Sequence, residues 1–305
     1  MNHYLFNRAY SLTIGYPNSQ NEARVYSGLR CSFDITKSEM PGSNSCTVKI
    51  NNLSDDSRAF IKEGTAAKDY HDGMTIILKA GYEEMGDIDN LPTIFTGNIM
   101  TSTHDTTRPE VETVLTCWDA AVNLKTSHFS GTYPKGTKIS QIINDIVSAL
   151  SLNMQTPIGN VLSNNTIADI AIGWSWAYHG NAADALRKCC DRMALRFSVQ
   201  NNKVKIYPVR GKNGGAGSDG TPAFSAFLIG SPKRMAKMQA GIEMLDFGGY
   251  DFDVLLCPLA EPGNTVNLTA SSIENSPVPL VVSEVHHQGD THGEDWKSSI
   301  KGRKP

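Results

Sequence analysis

TIFTGNIMTST (Thr93–Thr103) and VETVLTCW (Val111–Trp118) are two runs rich in β-branched and aromatic residues, parted by a short polar stretch. Two such runs in succession read as paired strands, and the same texture extends outward from them. Upstream, Ser11 to Tyr16, Tyr26 to Thr36, Thr47 to Asn51 and Met74 to Tyr82 are candidate strands, with Pro41-Gly42-Ser43-Asn44 as a loop. One helix interrupts them. Ser54 is placed to cap Asp55 to Glu63, the early aspartates suit the helix dipole, and Gly64 is placed to end it. The first 120 residues therefore predict an antiparallel sandwich or barrel.

Downstream of Trp118 the period changes. Ile139, Ile142, Ile143, Ile146 and Leu150 recur at helical spacing behind Thr137, a candidate cap. A second helix, capped by Asn181, carries Ala182, Ala185, Leu186, Cys189, Cys190 and Met193 on one stripe. Strands resume at Leu195 to Val199 and Lys203 to Tyr207, joined by the hairpin signal Asn201-Asn202. A Gly-rich loop, 211–222, follows. The last strands are expected at Asp251 to Cys257, Thr265 to Ala270, Leu280 to His287 and Asp295 to Ile300, with turns at Pro262-Gly263 and Gly289-Asp290. The fold class is thus mainly β with an α insert (α+β). Two antiparallel β-barrel domains, 1–125 and 195–305, are separated by a helical segment, 126–194.

Composition narrows the function. With 28 Lys and Arg against 31 Asp and Glu, the net charge of -3 supplies no broad positive field for nonspecific nucleic-acid binding. The basic cluster Lys297, Lys301, Arg303 and Lys304 reads as a solvated C-terminus rather than a nucleic-acid or lipid-surface patch. Charged residues make up 19% of the chain against about 25% in typical domains, which suggests surface covered by partners. The first residues show no signal-peptide pattern, and the densest apolar run, Val254 to Ala260, is short and holds Pro258. Neither export by a signal peptide nor membrane insertion is expected. Cys31, Cys46, Cys117, Cys189, Cys190 and Cys257 show no CxxC spacing, as expected of reduced thiols in a cytosol.

Candidate chemistry is sparse. Gly215 to Gly220 matches GxGxxG, but Pro222 follows and no helical period opens there, so a dinucleotide site lacks its helix N-terminus. No Walker lysine motif, HExxH or GxSxG is present. His286, His287, Asp290 and His292 are the best metal candidates, yet adjacent His286 and His287 point to opposite faces of a strand. Cys189-Cys190 reads as helix core rather than a redox pair. Trp174, Trp176 and Tyr178 alternate along one face of an extended segment, open to core packing, subunit contact or sugar stacking. No catalytic, cofactor-binding or metal residue is assigned, and no enzyme activity is expected.

Several short strings in order resemble the baseplate hub proteins of contractile-tailed bacteriophages, a family related to the hub portion of type VI secretion spikes. They are Val48 to Ser54, Leu78 to Tyr82, Ile94 to Ile99, Cys117-Trp118-Asp119, Gly136 with the Ile142-Ile143 helix, and Asn202 to Pro208. Leu228 to Pro232, Leu255 to Pro258, Pro262-Gly263, and His287 to Gly293 followed by Trp296 continue the series. The chain departs from the pattern at Cys257, where such hubs carry a polar residue, and in its longer Gly-rich loop. The resemblance implies two tube-protein-like barrels per chain. It further implies a homotrimer that joins a hexameric tail tube to a trimeric central spike among other baseplate proteins, with DNA only in transit through its lumen. Such a protein resides in the virion baseplate and is assembled in the host cytoplasm. The rival readings are a carbohydrate- or receptor-binding tail module and, behind it, a peptidoglycan-degrading tail enzyme.

Overall fold

The computed structural model describes residues 7–16, 23–40, 42, 44–65, 73–83, 90–107, 109–165, 167–210, 218, 223–226, 228–235, 248–273 and 276–305. Its first segment runs β1 (Arg8–Gly15), β2 (Arg24–Tyr26), β3 (Cys31–Ser38), β4 (Ser45–Asn51), α1 (Asp55–Thr65), β5 (Thr75–Tyr82), β6 (Thr93–Asp105) and β7 (Glu112–Trp118). The middle segment holds α2 (Ala121–Thr126), β8 (His128–Tyr133), α3 (Ile139–Ala149), β9 (Asn153–Met154), α4 (Ile158–Asn164), β10 (Trp176–Asn181), α5 (Ala182–Arg192), β11 (Leu195–Gln200) and β12 (Lys203–Pro208). The last segment returns to strands: β13 (Phe224–Ser225), β14 (Leu228–Met235), β15 (Gly249–Leu255), β16 (Thr265–Leu268), β17 (Val278–Asp290) and β18 (Trp296–Arg303).

The chain is mainly β, and among the described residues its strands form open, mainly antiparallel sheets. Strands of the first and last segments join in one sheet, ordered β14-β15-β18-β17-β3-β4-β7-β6-β5-β1-β2, with β13 and β16 branching off β17. The junction is the antiparallel pair β17–β3, from Glu284 opposite Ser38 to Asp290 opposite Ser32. Among the described residues no ladder closes either half on itself. Two apolar cores nevertheless lie behind the sheet. One gathers Leu12, Ile35, Val48, Ile76, Phe95 and Leu115, with Trp296 arriving from β18 to meet Phe33 edge-on at 5.4 Å. The other gathers Phe252, Val254, Val266, Leu280, Val285 and Ile300.

The middle segment has its own core, built on the isoleucine stripe of α3 and the Ala185, Leu186 and Cys189 stripe of α5. Hairpin β11–β12, read from sequence with segment 195–305, contributes Leu195, Phe197, Val199, Val204 and Ile206 to this core. Asn181 caps α5 through its side chain, which accepts the Asp184 N–H at 3.1 Å. Thr137 does not cap α3. Its hydroxyl turns back to the Pro134 carbonyl, and Asp169, from the chain that runs beside the helix, accepts from the Ser140 N–H and hydroxyl instead.

Other differences have local causes. The single strand expected from Tyr26 to Thr36 is broken by Gly28, whose φ of +75 turns the chain between β2 and β3. Ser54 caps α1 by accepting the Ser57 N–H, but Gly64 lies inside the helix, where the Met74 side chain leaves no room for a β-carbon. Gly289 and Asp290 end β17 rather than forming the turn, because their register with Phe33 and Ser32 persists. Of the Gly-rich loop 211–222, all but Ser218 lies outside the described residues.

Asn201 and Asn202, at φ of 55 and 59, form the tight turn that their pairing predicts, and Asp119 at the end of β7 receives it. Its carboxylate accepts both turn N–H groups, at 2.6 and 2.9 Å, and the Asn44 amide at 3.3 Å. Asp119→Ala strands these donors in the interior. It is expected to lower the unfolding free energy by about 2–4 kcal/mol, measured by urea denaturation. An unchanged midpoint would show that the turn is held by other means.

Candidate functional site

The pleat gives the large sheet two unlike faces. One register row passes through Val254, Ser298, His287, Ile35, Cys46, Cys117 and Ile99. Every member is buried. One residue along, a second row passes through Ile229, Asp253, Ser299, His286, Thr36, Ser45, Trp118, Asn98 and Thr75 on nine adjacent strands. A third carries Leu255, Lys297, Gln288, Asp34, Thr47, Thr116 and Thr101. These rows make a broad open wall of hydroxyls, amides and charges, with the apolar side chains of Ile229 and Trp118 exposed among them. Two shallow depressions of about 290 and 240 Å³ mark the wall, one around Asp251, Glu284 and Lys301, the other around Asp34, Lys49 and Asp295.

Several charges on this wall are paired with a neighbour of opposite sign. Lys301 donates to both Glu284 oxygens at 3.0 Å, His286 meets Asp34 at 2.9 Å, and Arg30 meets Asp290 at 3.0 Å. Lys49 lies 3.9 Å from Glu112 and Lys297 lies 3.7 Å from Asp295.

Behind the wall, at the β17–β3 junction, a buried polar knot separates the two apolar cores. Lys37 and Lys205, 0% and 1% exposed, both reach Glu261, at 3.4 and 2.8 Å. Asn201 donates to the same carboxylate at 2.6 Å, and Asn264 accepts from Lys205 at 2.7 Å. Burial alone would raise the Glu261 carboxyl, yet Lys37 and Lys205 outweigh it and hold it down at about 2. Burial, reinforced by Lys37, pushes the neighbouring His287 imidazole down to about 3. Burial raises the Asp119 carboxyl against the pull of the hydrogen bonds it accepts from the turn.

The residues weighed from sequence fall into place on this frame. His286 faces the wall and His287 the interior, where its Nδ1 lies 2.7 Å from the Ser298 hydroxyl. His292 pairs with Thr291, and Asp290 is held by Arg30, so the four candidates do not converge. Among the described residues no cluster of three metal-ligating side chains occurs. Cys189 and Cys190 are buried in α5, where burial pushes the Cys189 thiol up to about 11 and Cys190 higher. Trp176 and Tyr178 are half-buried in a continuous stack with Phe129 and Tyr133, at 5.8 to 6.5 Å between rings. That stack covers the middle core and leaves Trp174, 67% exposed, outside it, so the three rings form no common platform.

Sequence reasoning missed the buried lysines. Lys203-Val204-Lys205-Ile206 alternates, which reads as two outward lysines, but only Lys203 is exposed.

Comparison with known proteins adds the family signal. The family model described as Baseplate hub gp41 matches residues 11–175, more than half of the chain. Among curated proteins none matches in sequence. Of solved structures, the 43 kDa tail protein of prophage MuSo2 from Shewanella oneidensis superposes with a TM-score of 0.59 at 9% identity, over 97% of each chain. A tail protein from Neisseria meningitidis gives 0.59 at 9% identity, over 98% of this chain and 97% of its own. An Escherichia coli component of the type VI secretion system gives 0.56 at 9% identity, over 96% and 76%.

The two pKa directions fix an acid response. Glu261, depressed in the fold, contributes stability present above the unfolded carboxylate value near 4.5 and lost as pH falls toward 2. His287, neutral in the fold, lets the unfolded chain bind the extra proton between about 6.5 and 3, so stability falls as pH drops through that window. Each group contributes a slope of at most about 1.4 kcal/mol per pH unit. His287→Gln is expected to flatten the loss between pH 6.5 and 4.5, and Glu261→Gln the loss below 4.5. Urea midpoints across pH check this, and curves parallel to wild type would refute it.

Proposed function

The chain belongs to the Baseplate hub gp41 family, and from that membership we propose that it is a hub at the tip of a contractile phage tail, forming a homotrimer. In this reading three copies join the hexameric tail tube to the trimeric central spike, beside other baseplate proteins, and carry no catalytic step. Each chain then supplies two tube-like halves, 1–125 and 195–305, with 126–194 as the insert and hairpin 195–208 bridging to it. Six such halves in a threefold ring would meet sixfold order on the tube side and threefold order on the spike side. The protein works in the virion baseplate after assembly in the host cytoplasm, and it does not enter a membrane.

The observation that carries the reading is the continuous open wall across both halves, backed by a separate apolar core in each. A wall of this kind suits the lumen of a channel. Its hydroxyls and paired charges offer passing DNA phosphates no uncompensated positive field, so the duplex is in transit rather than bound.

The deciding measurement is the mass of the purified chain, alone and with its central spike protein, by native mass spectrometry. Three copies per assembly are expected in at least the second condition. A single copy in both would overturn the proposal.

A further inference from the structure

We infer that the carboxylates of the open wall are guards, which mask a latent surface for polyanions that its lysines would otherwise form. The inference rests on the channel reading for its purpose, while its chemistry stands on the wall alone.

The argument starts from placement. Lys301 and Lys297 lie on β18, Lys49 on β4, and β17 and β3 run between them, all with these side chains on the same face. At about 4.8 Å between strands and about 3.3 Å per residue along them, these four adjacent strands put the lysines on a patch about 14 Å across and about 20 Å long. Such a patch, unmasked, is the electrostatic footprint that binds phosphate backbones without regard to sequence. Each of these three lysines instead has a carboxylate of its own, Glu284 for Lys301, Asp295 for Lys297 and Glu112 for Lys49, while Lys233 at the β14 edge has only Asp251 opposite it in register. The six paired side chains remain between 33% and 58% exposed, so solvent and ions reach every pair. Ion pairs that open to solvent contribute little to stability. Their consistent effect is on the field that a passing charge meets, because a paired cation releases no counterion when phosphate approaches. Threonine, serine and glutamine at Thr36, Thr47, Ser299 and Gln288 fill the spaces between the pairs with neutral groups.

The test unmasks the lysines without adding any. In the variant Glu112→Gln/Glu284→Gln/Asp295→Asn, binding of a short labelled DNA duplex is followed by fluorescence anisotropy at low and at physiological salt. A control, Glu63→Gln/Asp145→Asn/Asp191→Asn, carries the same net charge with its changes on the helices α1, α3 and α5, at carboxylates that hold no basic partner among the described residues. The guard variant is expected to bind about tenfold or more tightly than both wild type and control at low salt, with a log–log salt slope steeper by about three. Affinity equal to the control's would overturn the inference. Where the triple variant fails to fold, Glu284→Gln alone carries the test, with a slope steeper by about one expected and no change refuting it. Particles assembled with the folded variant separate the two readings. Slower DNA release supports the guards at the channel wall, whereas tighter binding in solution with unchanged release overturns the channel reading and leaves the masking intact.

Discussion

The Glu261 carboxylate between two fully buried lysines is the constraint on which the arrangement of the three segments depends. Lys37 comes from the first segment, Lys205 from the hairpin of the middle core, and Glu261 from the loop before β16. A buried ion deprived of its partner is strongly destabilising, so none of the three can leave without stranding the others. Apolar packing alone would permit the hairpin to slide over the back of the sheet. The hydrogen bonds from the turn to Asp119, and from Asn201 to Glu261, allow one position.

That fixed point explains why one sheet can serve two cores. The β17–β3 pair must be covered on its inner face, and the cover there is polar: Lys37, His287 and the hairpin tip stand where the two apolar clusters would otherwise merge. A merged core would favour one rounded domain. Separated cores instead lie behind one continuous sheet, with its outer face left open across both.

Much of this was legible in the sequence because it is local. The isoleucines of α3 and the small apolar stripe of α5 repeat at helical spacing, and the strands of the first segment alternate as half-buried strands do. Asn201-Asn202 announced its turn, and adjacency alone placed His286 and His287 on opposite faces. The knot was not legible, since Asp119 lies 82 residues from the turn it holds and Lys37 lies 224 from Glu261. Lysine in an alternating strand reads as solvent-facing. Only the approach of a second layer carrying a carboxylate reverses that, and no local pattern encodes it. For the same reason the sequence showed two groups of strands but not that β17 and β3 would fuse them.

Inside and outside, the molecule treats charge in opposite ways, and the difference follows from dielectric. In the interior a few ions are paired closely, at 2.8 and 3.4 Å about Glu261, where attraction is strong and a missing partner is costly. On the wall the pairs run out to 3.9 Å under solvent, where each contributes little to folding and can be altered without loss of the fold. Sensitivity to the loss of a charged partner is thereby concentrated in the knot. The wall carries little of that sensitivity, so its charge pattern can change without loss of the fold.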